Sequence, residues 1–494
     1  MAPHKVSTDR VVPLLPYDTN LLLRPCMIRA LLVFEAVLDP KLLHDKLWHI
    51  VAEREGWSRF GARLRKSSLT GLEYHIPARF SVGRPAINFN HITYRMKIRE
   101  HPEACQLLPT LGPITKSYTA PGESFYVPKW APKKISDYFE CDLPLLGVNV
   151  ISFQDATLIA VHLPHTITDG TGVSALLRAW TLALQNREDE IAAPLAIDVD
   201  PLDTLDEQIR SEPRKGWLPE WQSSLLSWTW TALGLLPRAW DPPIEFRTVV
   251  VPAREMRKLR EMALQHLAAE QQQQQRRRRQ PPVLSDGDIL SAWWSQICVS
   301  HLPKNSWKRA ALIHAVSFGP QLPSVNPACA DRPVLSNMVE PFAMPVEIDY
   351  INNKPLGQVA SKIRAELKAA RTFERLKAYA AWSRRTKFDL PPPFLSADMF
   401  ILSLSNLAMA KSFELDFSAA AVNPEGASHP LNPSNFLVRV PGGDVFNATW
   451  IMGKDGSGNY WLNCGAREDH WPKIDKILER GIGMTSDPNI RARL

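Results

Sequence analysis

Residues 157–185 constrain the fold most strongly, because they place a strand, a turn and a helix in direct succession. The mostly apolar run 158–163 is predicted to be a β-strand that leaves a sheet. Pro164 lacks the N–H group that a strand ladder requires, so the strand is expected to end there. The Gly-Thr-Gly turn at 170–172 permits a tight return into a helix over 173–185, whose apolar residues fall on one side. This succession is typical of a mixed α/β fold.

Similar strand and helix patterns occur on both sides of a stretch that is rich in Asp, Glu, Pro and Trp and weakly periodic. The 494 residues of the chain also exceed what one hydrophobic core usually holds. We therefore predict an N-terminal α/β domain at 1–195, a crossover linker at 196–245 and a C-terminal α/β domain at 246–494. Three local elements are also predicted: a helix over 40–53, a capping pair of Ser285 and Asp288, and a hairpin with the turn KDGSGN.

The chain is mildly basic, with 58 Lys and Arg against 51 Asp and Glu and a formal net charge of +7. This charge suits a phosphate-rich cofactor but is also ordinary for a globular protein, so it does not decide between them. The run EQQQQQRRRRQPP at 270–282 is predicted to be a solvated, low-complexity insertion in the C-terminal domain. No aromatic platform or recognised binding fold accompanies it, so no nucleic-acid partner is expected.

The six cysteines lie far apart in sequence, and the 13 histidines do not cluster with them. Neither a metal site nor a disulfide framework is expected, and a reducing compartment, the cytoplasm, is predicted. The N-terminus lacks the apolar core of a signal peptide. The apolar stretch 223–236 is shorter than the roughly 18 residues that a transmembrane helix needs, so no transmembrane segment is expected.

His165 and Asp169 stand out because they lie four residues apart just past the predicted strand end, with Gly170 next in the chain. A side chain at a strand end can point into a cleft, where a neutral imidazole suits a general base. Asp169 is placed to hold the loop, by accepting backbone N–H bonds or by pairing with an arginine. The alternative is a structural role, in which His165 is a loop histidine with its hydrogen bonds satisfied and Asp169 is a helix N-cap. His162 faces the other side of the strand and is predicted to be structural.

A second stretch, SNLAMAKSFELDFS at 405–418, favours the first of these interpretations. Together with HTITDG at 165–170, it resembles the two motifs of the BAHD acyltransferases, in the same order and at a similar separation. Asp416-Phe417 matches the second motif, and residues 405–407 stand where Ser-Ser-Trp is usual. The sequence is most similar to the fungal branch of that family, which includes the trichothecene-type O-acyltransferases.

The resemblance covers nearly the whole chain, with VLSDGDILSAWW at 283–294 and Ser336-Asn337, where Gly-Asn is usual, as further points of agreement. The chain departs from the family pattern at 418–420, where Ser-Ala-Ala replaces Gly-Trp-Gly. No arginine stands out where one commonly pairs with the second-motif aspartate, because SFGPQL at 317–322 occupies that region. Asp416 is therefore expected to pair elsewhere, with Arg332 as a candidate. Three residues are expected to be structural members of the two motifs, namely Gly170, Asp416 and Phe417.

The resemblance implies two chloramphenicol-acetyltransferase-like α/β domains with a central solvent channel. It implies acyl-CoA, in the first place acetyl-CoA, as a co-substrate, and no permanently bound cofactor. The acceptor would be a hydroxyl group of a hydrophobic secondary metabolite such as a terpenoid or polyketide. His165 would be the general base and Asp169 would hold its loop. Ser405 and Asn406 would face the channel beside the cofactor. Asn406 is also a candidate oxyanion donor, or else a strand-end turn residue, and the protein is expected to be a monomer.

Two other functions remain open at this stage. A related condensation-type enzyme takes its acyl group from a carrier protein, but it uses His-His-x-x-x-Asp-Gly, and Pro164 precedes His165 here. A non-catalytic binding protein of the same fold is the other alternative, with the arginines at 276–279 as its contact to a nucleic acid. An acyl-CoA-dependent O-acyltransferase is the favoured prediction.

Overall fold

The computed structural model describes most of the chain. The described ranges are 5–19, 23–67, 71–205, 242–273, 283–300, 302, 309–385, 399–423, 430–441 and 447–482. Most of the predicted linker, including the apolar stretch 223–236, and most of the Gln/Arg run lie outside the described residues.

The strands of these ranges form three sheets. In chain order the strands are β1 Arg10–Pro13, β2 Met27–Phe34, β3 Arg63–Ser67, β4 Gly71–Ile76, β5 Asn88–Thr93, β6 Lys116–Thr119, β7 Gly147–Ser152, β8 Thr157–Pro164, β9 Ile244–Val251, β10 Arg309–Ser317, β11 Val339–Glu347, β12 Met399–Asn406, β13 Asn435–Arg439, β14 Asn447–Lys454 and β15 Tyr460–Arg467. A five-stranded sheet has the order β13-β2-β8-β7-β5, and a seven-stranded sheet has the order β11-β10-β12-β14-β15-β9-β6. A small third sheet has the order β1-β4-β3.

Helices cover both of the larger sheets, so the predicted mixed α/β class is confirmed. The helices are α1 Pro40–Glu53, α2 Glu123–Tyr126, α3 Asp137–Glu140, α4 Gly170–Leu184, α5 Ala253–Gln273, α6 Asp286–Ser300, α7 Leu322–Val325, α8 Ile348–Asn353, α9 Leu356–Ala370, α10 Phe373–Arg385 and α11 Trp471–Glu479. Short 3-10 turns join many of these elements, among them Pro16–Thr19 and Trp57–Gly61.

Each of the two larger sheets takes one strand from the other half of the chain. β13 runs antiparallel to β2 in the five-stranded sheet. In return, β6 runs antiparallel to β9 in the seven-stranded sheet. Backbone hydrogen bonds therefore connect the two halves directly, while the division into domains at 1–195, 196–245 and 246–494 stays a prediction.

Strand β2 is buried on both faces, because hydrophobic clusters lie above and below its sheet. Leu32 and Phe34 belong to a large cluster that includes the apolar faces of α1 and α4. Leu31 and Val33 point into a second, smaller cluster. The seven-stranded sheet has its own core, in which several tryptophans are fully buried and fill space between helices, namely Trp293, Trp294 and Trp471.

The three local elements predicted from sequence are confirmed. α1 begins at Pro40 because the carboxylate of Asp39 accepts the N–H groups of Lys41 and Leu42. Ser285 and Asp288 exchange side-chain and backbone hydrogen bonds in a capping box. β14 and β15 form the expected antiparallel hairpin.

None of the helices in the described ranges combines the length and the apolar character that crossing a bilayer demands. Within the same ranges, no group of three or more His, Cys, Asp and Glu side chains is arranged to hold a metal ion. The six cysteines are free thiols.

Candidate active site

His165 lies immediately after β8, at the end of the five-stranded sheet. β8 ends at Pro164, which is in register with Met27 of β2. The amide of His165 donates to the carbonyl of Cys26 at 2.9 Å, so the backbone of this loop is tied to the neighbouring strand. His165 as a residue is only partly buried, whereas the next three residues, 166–168, are fully buried. The loop thus holds His165 at a partly exposed position, and the residues that follow it are buried.

Asp169 performs both of the structural roles that the sequence suggests for it. Its Oδ1 caps α4 by accepting the N–H groups of Thr171 at 2.8 Å and Gly172 at 3.2 Å. Its Oδ2 accepts the N–H of Met338 at 3.1 Å, a bond that spans 169 residues of chain. Burial raises the pKa of the Asp169 carboxyl, and the amide of Met338 and the imidazole of His165 oppose this rise. The carboxylate therefore joins the loop to the second half of the chain and does not face outward.

Asn337 is the direct partner of the His165 ring. His165 Nδ1 and Asn337 Oδ1 are 3.0 Å apart. The amide nitrogen of Asn337 lies on the other side, where it donates to the carbonyl of His165 and to Asp18 Oδ1, both at 2.9 Å. These two acceptors orient the amide so that its oxygen faces the imidazole. Nδ1 of His165 must then carry the hydrogen, which leaves a lone pair on Nε2.

The protonation state of His165 follows from its surroundings. Burial lowers the pKa of the imidazole, and its own backbone, Asp169, Asn337 and Asp18 oppose this only in part. The ring is therefore neutral at pH 7. A neutral ring with an unprotonated Nε2 can accept a proton from a bound hydroxyl or amine, which is what a general base requires.

His162 is also neutral, but it differs from His165 in its exposure and in its contacts. Its side chain is 1 % exposed, and burial together with the positive charge of Arg29 lowers its pKa to about 4. It packs directly against Gly147 on β7, where a Cβ would overlap its ring. Trp130 contacts the ring edge-on, with centroids 6.0 Å apart. These contacts agree with the predicted structural role of His162.

Gly172, in the first turn of α4, faces the buried side chain of Thr168, and a Cβ at this position would overlap Thr168 Oγ1. We expect Gly172→Ala to lower the free energy of unfolding by about 1–3 kcal/mol, because Thr168 is 0 % exposed and has no space to move into. Urea unfolding followed by circular dichroism measures this. Adding Thr168→Ala removes the overlapping hydroxyl, so the double variant should lose less than the sum of the two single losses. Strict additivity would contradict the overlap as the cause.

The second motif is packed against the first. Phe417 is fully buried between Phe34 of β2 and Trp180 of α4, with ring centroids 4.8 and 5.6 Å away. The carboxylate of Asp416 accepts the N–H groups of Ser418 at 2.9 Å and Leu431 at 3.0 Å. Both amides bind Oδ1, and the side-chain amide of Gln185 donates to Oδ2 at 3.4 Å. The expectation that Asp416 pairs with Arg332 is therefore wrong, because amide groups bind this carboxylate in place of a guanidinium.

Ser405 and Asn406 end β12 close to the start of α4. Leu407 Cδ2 lies 3.2 Å from where a Cβ of Gly170 would stand, so the end of β12 contacts the loop that carries His165. Asn406 is exposed, and its Oδ1 accepts the N–H of Ala408 at 3.0 Å, as a strand-end turn residue does. Its amide nitrogen approaches Gly287 at the start of α6. Contact of Ser405 and Asn406 with a cofactor stays a prediction.

Sequence reasoning noted Asn337 only as part of a matching dipeptide and gave no role to Asp18 or Arg59. Asp18 accepts from Arg59 Nη2 at 2.6 Å, and both side chains are buried. These residues lie in short 3-10 turns and in a segment without regular structure, so no periodic pattern marks them. The one available signal is a charged residue within an otherwise apolar or aromatic context, as in PLLPYDT.

Comparison with known proteins gives consistent full-length matches, although no family model matches the chain. It is 31 % identical to the "Transcriptional regulator calD" of Penicillium decumbens, over 97 % of both proteins. It is 28 % identical to the "Acetyltransferase sphE" of Aspergillus fumigatus, over 96 % of both. It is 27 % identical to the "O-acetyltransferase PaAT-2" of Phomopsis amygdali, over 97 % of this chain and 100 % of that protein.

Solved structures share the fold over nearly the whole chain. TRI101 of F. sporotrichioides, complexed with coenzyme A and T-2, matches with a TM-score of 0.66 and 17 % identity over 96 % of this chain and 99 % of that one. Vinorine synthase matches with a TM-score of 0.56 and 15 % identity over 99 % and 96 %. With these matches, the chain belongs to the BAHD-type acyl-CoA-dependent acyltransferases, in their fungal branch.

Proposed function

We propose that the protein transfers an acyl group, in the first place acetyl, from acyl-CoA to a hydroxyl of a hydrophobic secondary metabolite such as a terpenoid or a polyketide. The observation that carries this proposal is the His165 ring, which is neutral, partly accessible and bonded through Nδ1 to Asn337, so that Nε2 is free to accept a proton. Relatives with acetyltransferase names and the coenzyme A bound in TRI101 support the donor.

In the proposed reaction, Nε2 of His165 removes the proton from the acceptor hydroxyl as its oxygen attacks the thioester carbonyl carbon. A tetrahedral oxyanion forms and then collapses, the carbon–sulfur bond breaks, and the imidazolium returns its proton to the thiolate of CoA. The ester and free CoA leave, and the histidine is neutral again. A general base at such a step contributes about 10²–10⁴-fold in rate, and holding both substrates in line adds to this.

The other motif residues have supporting roles in this proposal. Asp169 positions the loop through its three amide bonds and does not touch substrate. Gly170 lets the segment after β12 approach that loop. Phe417 packs between β2 and α4, and Asp416 binds the backbone amides of the segment that carries Phe417. Ser405 and Asn406 lie beside the cofactor in a central channel, and Asn406 is the proposed oxyanion donor.

A non-catalytic regulator is the second candidate, because one specific observation favours it. The relative with 31 % identity carries the name transcriptional regulator, and so does "Transcriptional regulator sdnM" of Sordaria araneosa at 29 % identity. A regulator has no need for a neutral, accessible imidazole with an oriented tautomer, so the geometry of His165 favours the enzyme.

One screen separates these candidates. The purified full chain is incubated with acetyl-, malonyl- and longer acyl-CoAs and with acyl-carrier proteins, each against terpenoid and polyketide alcohols. Mass spectrometry then detects the ester, and a thiol reagent measures released CoA. An ester formed from an acyl-CoA supports the proposal. Product from carrier-bound donors alone would assign a condensation-type enzyme, and salt-dependent DNA binding with no ester from any donor would assign the regulator.

We also infer a cytoplasmic monomer. Six free thiols fit a reducing compartment. His165, Asn337, Asp169 and Asp18 all come from one chain, so a single copy supplies the proposed site.

A further inference from the structure

We propose that Asp18 and Arg59 are positioning residues: a buried ion pair that locks the amide of Asn337 and thereby keeps the His165 hydrogen on Nδ1. This inference rests on the proposed role of His165 as base. It assigns a role to an N-terminal turn and to the turn after α1, neither of which contains a motif residue.

Asp18 uses both of its carboxylate oxygens within this network. Oδ1 accepts the backbone N–H and the side-chain amide of Asn337, both at 2.9 Å. Oδ2 accepts Nη2 of Arg59 at 2.6 Å. The side chain of Asp18 is 0 % exposed, so no water competes for these bonds. A carboxylate can only accept, so the nitrogen of the Asn337 amide, and not its oxygen, must face Asp18.

Arg59 connects the same carboxylate to both sides of the site. Its Nη1 donates to Ser336 Oγ at 3.1 Å, next to Asn337 in the chain. Its Nη2 lies 3.2 Å from the hydroxyl of Tyr74, which in turn donates to the carbonyl of Thr166 at 2.7 Å, next to His165. Burial lowers the pKa of Arg59, but Asp18 and Tyr74 outweigh this and raise it overall, so the guanidinium stays charged.

The orientation of the Asn337 amide decides the tautomer of His165. If the amide turned over, its NH₂ group would face Nδ1, and that nitrogen would have to accept. The ring hydrogen would then move to Nε2, where it would block proton removal from the acceptor. The carbonyl of His165 alone does not prevent this turn as firmly as the carboxylate of Asp18 paired with Arg59 does, because hydrogen bonds to a charged group are the stronger ones.

The experiment compares two double variants of the full chain, each replacing an ion pair by apolar residues. D18L/R59M removes the buried pair, and such replacements of buried pairs often keep a fold stable. R10M/D198L is the matched control, because Arg10 and Asp198 form an ion pair at 2.7 Å whose side chains are more than half exposed. Ring-nitrogen NMR, with His165 identified by its absence in H165Q, reports the tautomer, and steady-state kinetics report kcat and KM.

We expect the Nδ1–H tautomer in the wild type and in the control, and a shift to Nε2–H in D18L/R59M. There kcat should fall at least about tenfold, with KM for acetyl-CoA unchanged. An Nε2–H ring in the wild type would overturn the proposal, as would a folded D18L/R59M that keeps both its tautomer and its kcat. If the double variant does not fold, D18N replaces it in the experiment. Arg59 and Asn337 both donate to residue 18, and the NH₂ group of an asparagine there must face one of these two donors. If no acyl transfer is found with any donor, the proposed function fails, and the tautomer still decides this inference.

Discussion

His165→Ala is expected to reduce kcat for acetyl transfer by about 10²–10⁴-fold, the contribution of a general base. The reason is geometric: the hydrogen bond from Nδ1 to Asn337 leaves the lone pair of Nε2 free, and His165 is only partly buried. The free energy of unfolding should fall by less than about 2 kcal/mol, because the partly exposed ring makes a single side-chain hydrogen bond to Asn337. Loss of rate without loss of the fold separates a catalytic role from a structural one.

The rate is measured as CoA thiol released per unit time, with saturating acetyl-CoA and an acceptor found in the screen. His49→Ala is a suitable control, because His49 is a partly exposed histidine on α1 that pairs with Glu53 at 2.9 Å. Its kcat should equal that of the wild type. A His165→Ala protein that keeps the wild-type rate would refute the assignment of the base.

The pH dependence of kcat/KM gives a second readout of the same residue. A base acts only when neutral, so the rate is complete above the pKa of His165 and is lost as the pH falls through it. Burial lowers that pKa below the ordinary value of 6.5, even though Asp169, Asn337 and Asp18 favour the charged ring. The wild-type rate should therefore hold down to a pH below 6.5, and the acid limb should be missing from the residual rate of His165→Ala.

Local elements could be predicted from sequence because their causes lie within a few residues. Asp39 caps α1 through bonds to the second and third residues after it, and the Ser285–Asp288 box spans four residues. Pro164 ends β8 for a reason contained in its own ring. The helix after HTITDG begins at Gly170 and not at residue 173, because the Asp169 cap includes the glycine turn in the first turn of α4.

The rest of the site could not be predicted in this way, since its bonds join distant parts of the chain. His165 and Asn337 are 172 residues apart, and Asp18 and Asn337 are 319 apart. No periodicity relates such positions, and only the assembled fold brings them together. For Asp416 the error is the reverse. A distant arginine was expected as its partner, but the backbone amide of Ser418, two residues further along the chain, donates to it.

The site is assembled from both halves of the chain. The first half supplies His165, Asp169 and Asp18, and the second half supplies Asn337 and Met338. The exchange of β6 and β13 between the sheets also ties the same two halves together. The position of the base therefore depends on how the halves pack, and the bond from Met338 to Asp169 is one direct link between them.

Asp169→Ala is the second change with a large expected effect. It removes the acceptor of two N–H groups at the start of α4 and of the buried Met338 amide. Loss of a cap costs about 1 kcal/mol and an unsatisfied buried amide about 1–3 kcal/mol, so the free energy of unfolding should fall by about 2–4 kcal/mol. We expect kcat to fall at least about tenfold as well, because a loop displaced by even 1 Å misplaces the base.

Two further variants separate the cap from the link between the halves. Asp39→Ala removes an equivalent cap, since Asp39 accepts the N–H groups of Lys41 and Leu42 at 2.8 and 3.2 Å on α1, away from the site. It should cost about 1 kcal/mol and leave kcat unchanged. Asp169→Asn keeps a capping oxygen for α4 but turns an NH₂ group toward the amide of Met338. If the link positions His165, this variant should lose kcat nearly as Asp169→Ala does while losing less stability. Full activity in Asp169→Asn would mean that the cap alone sets the loop.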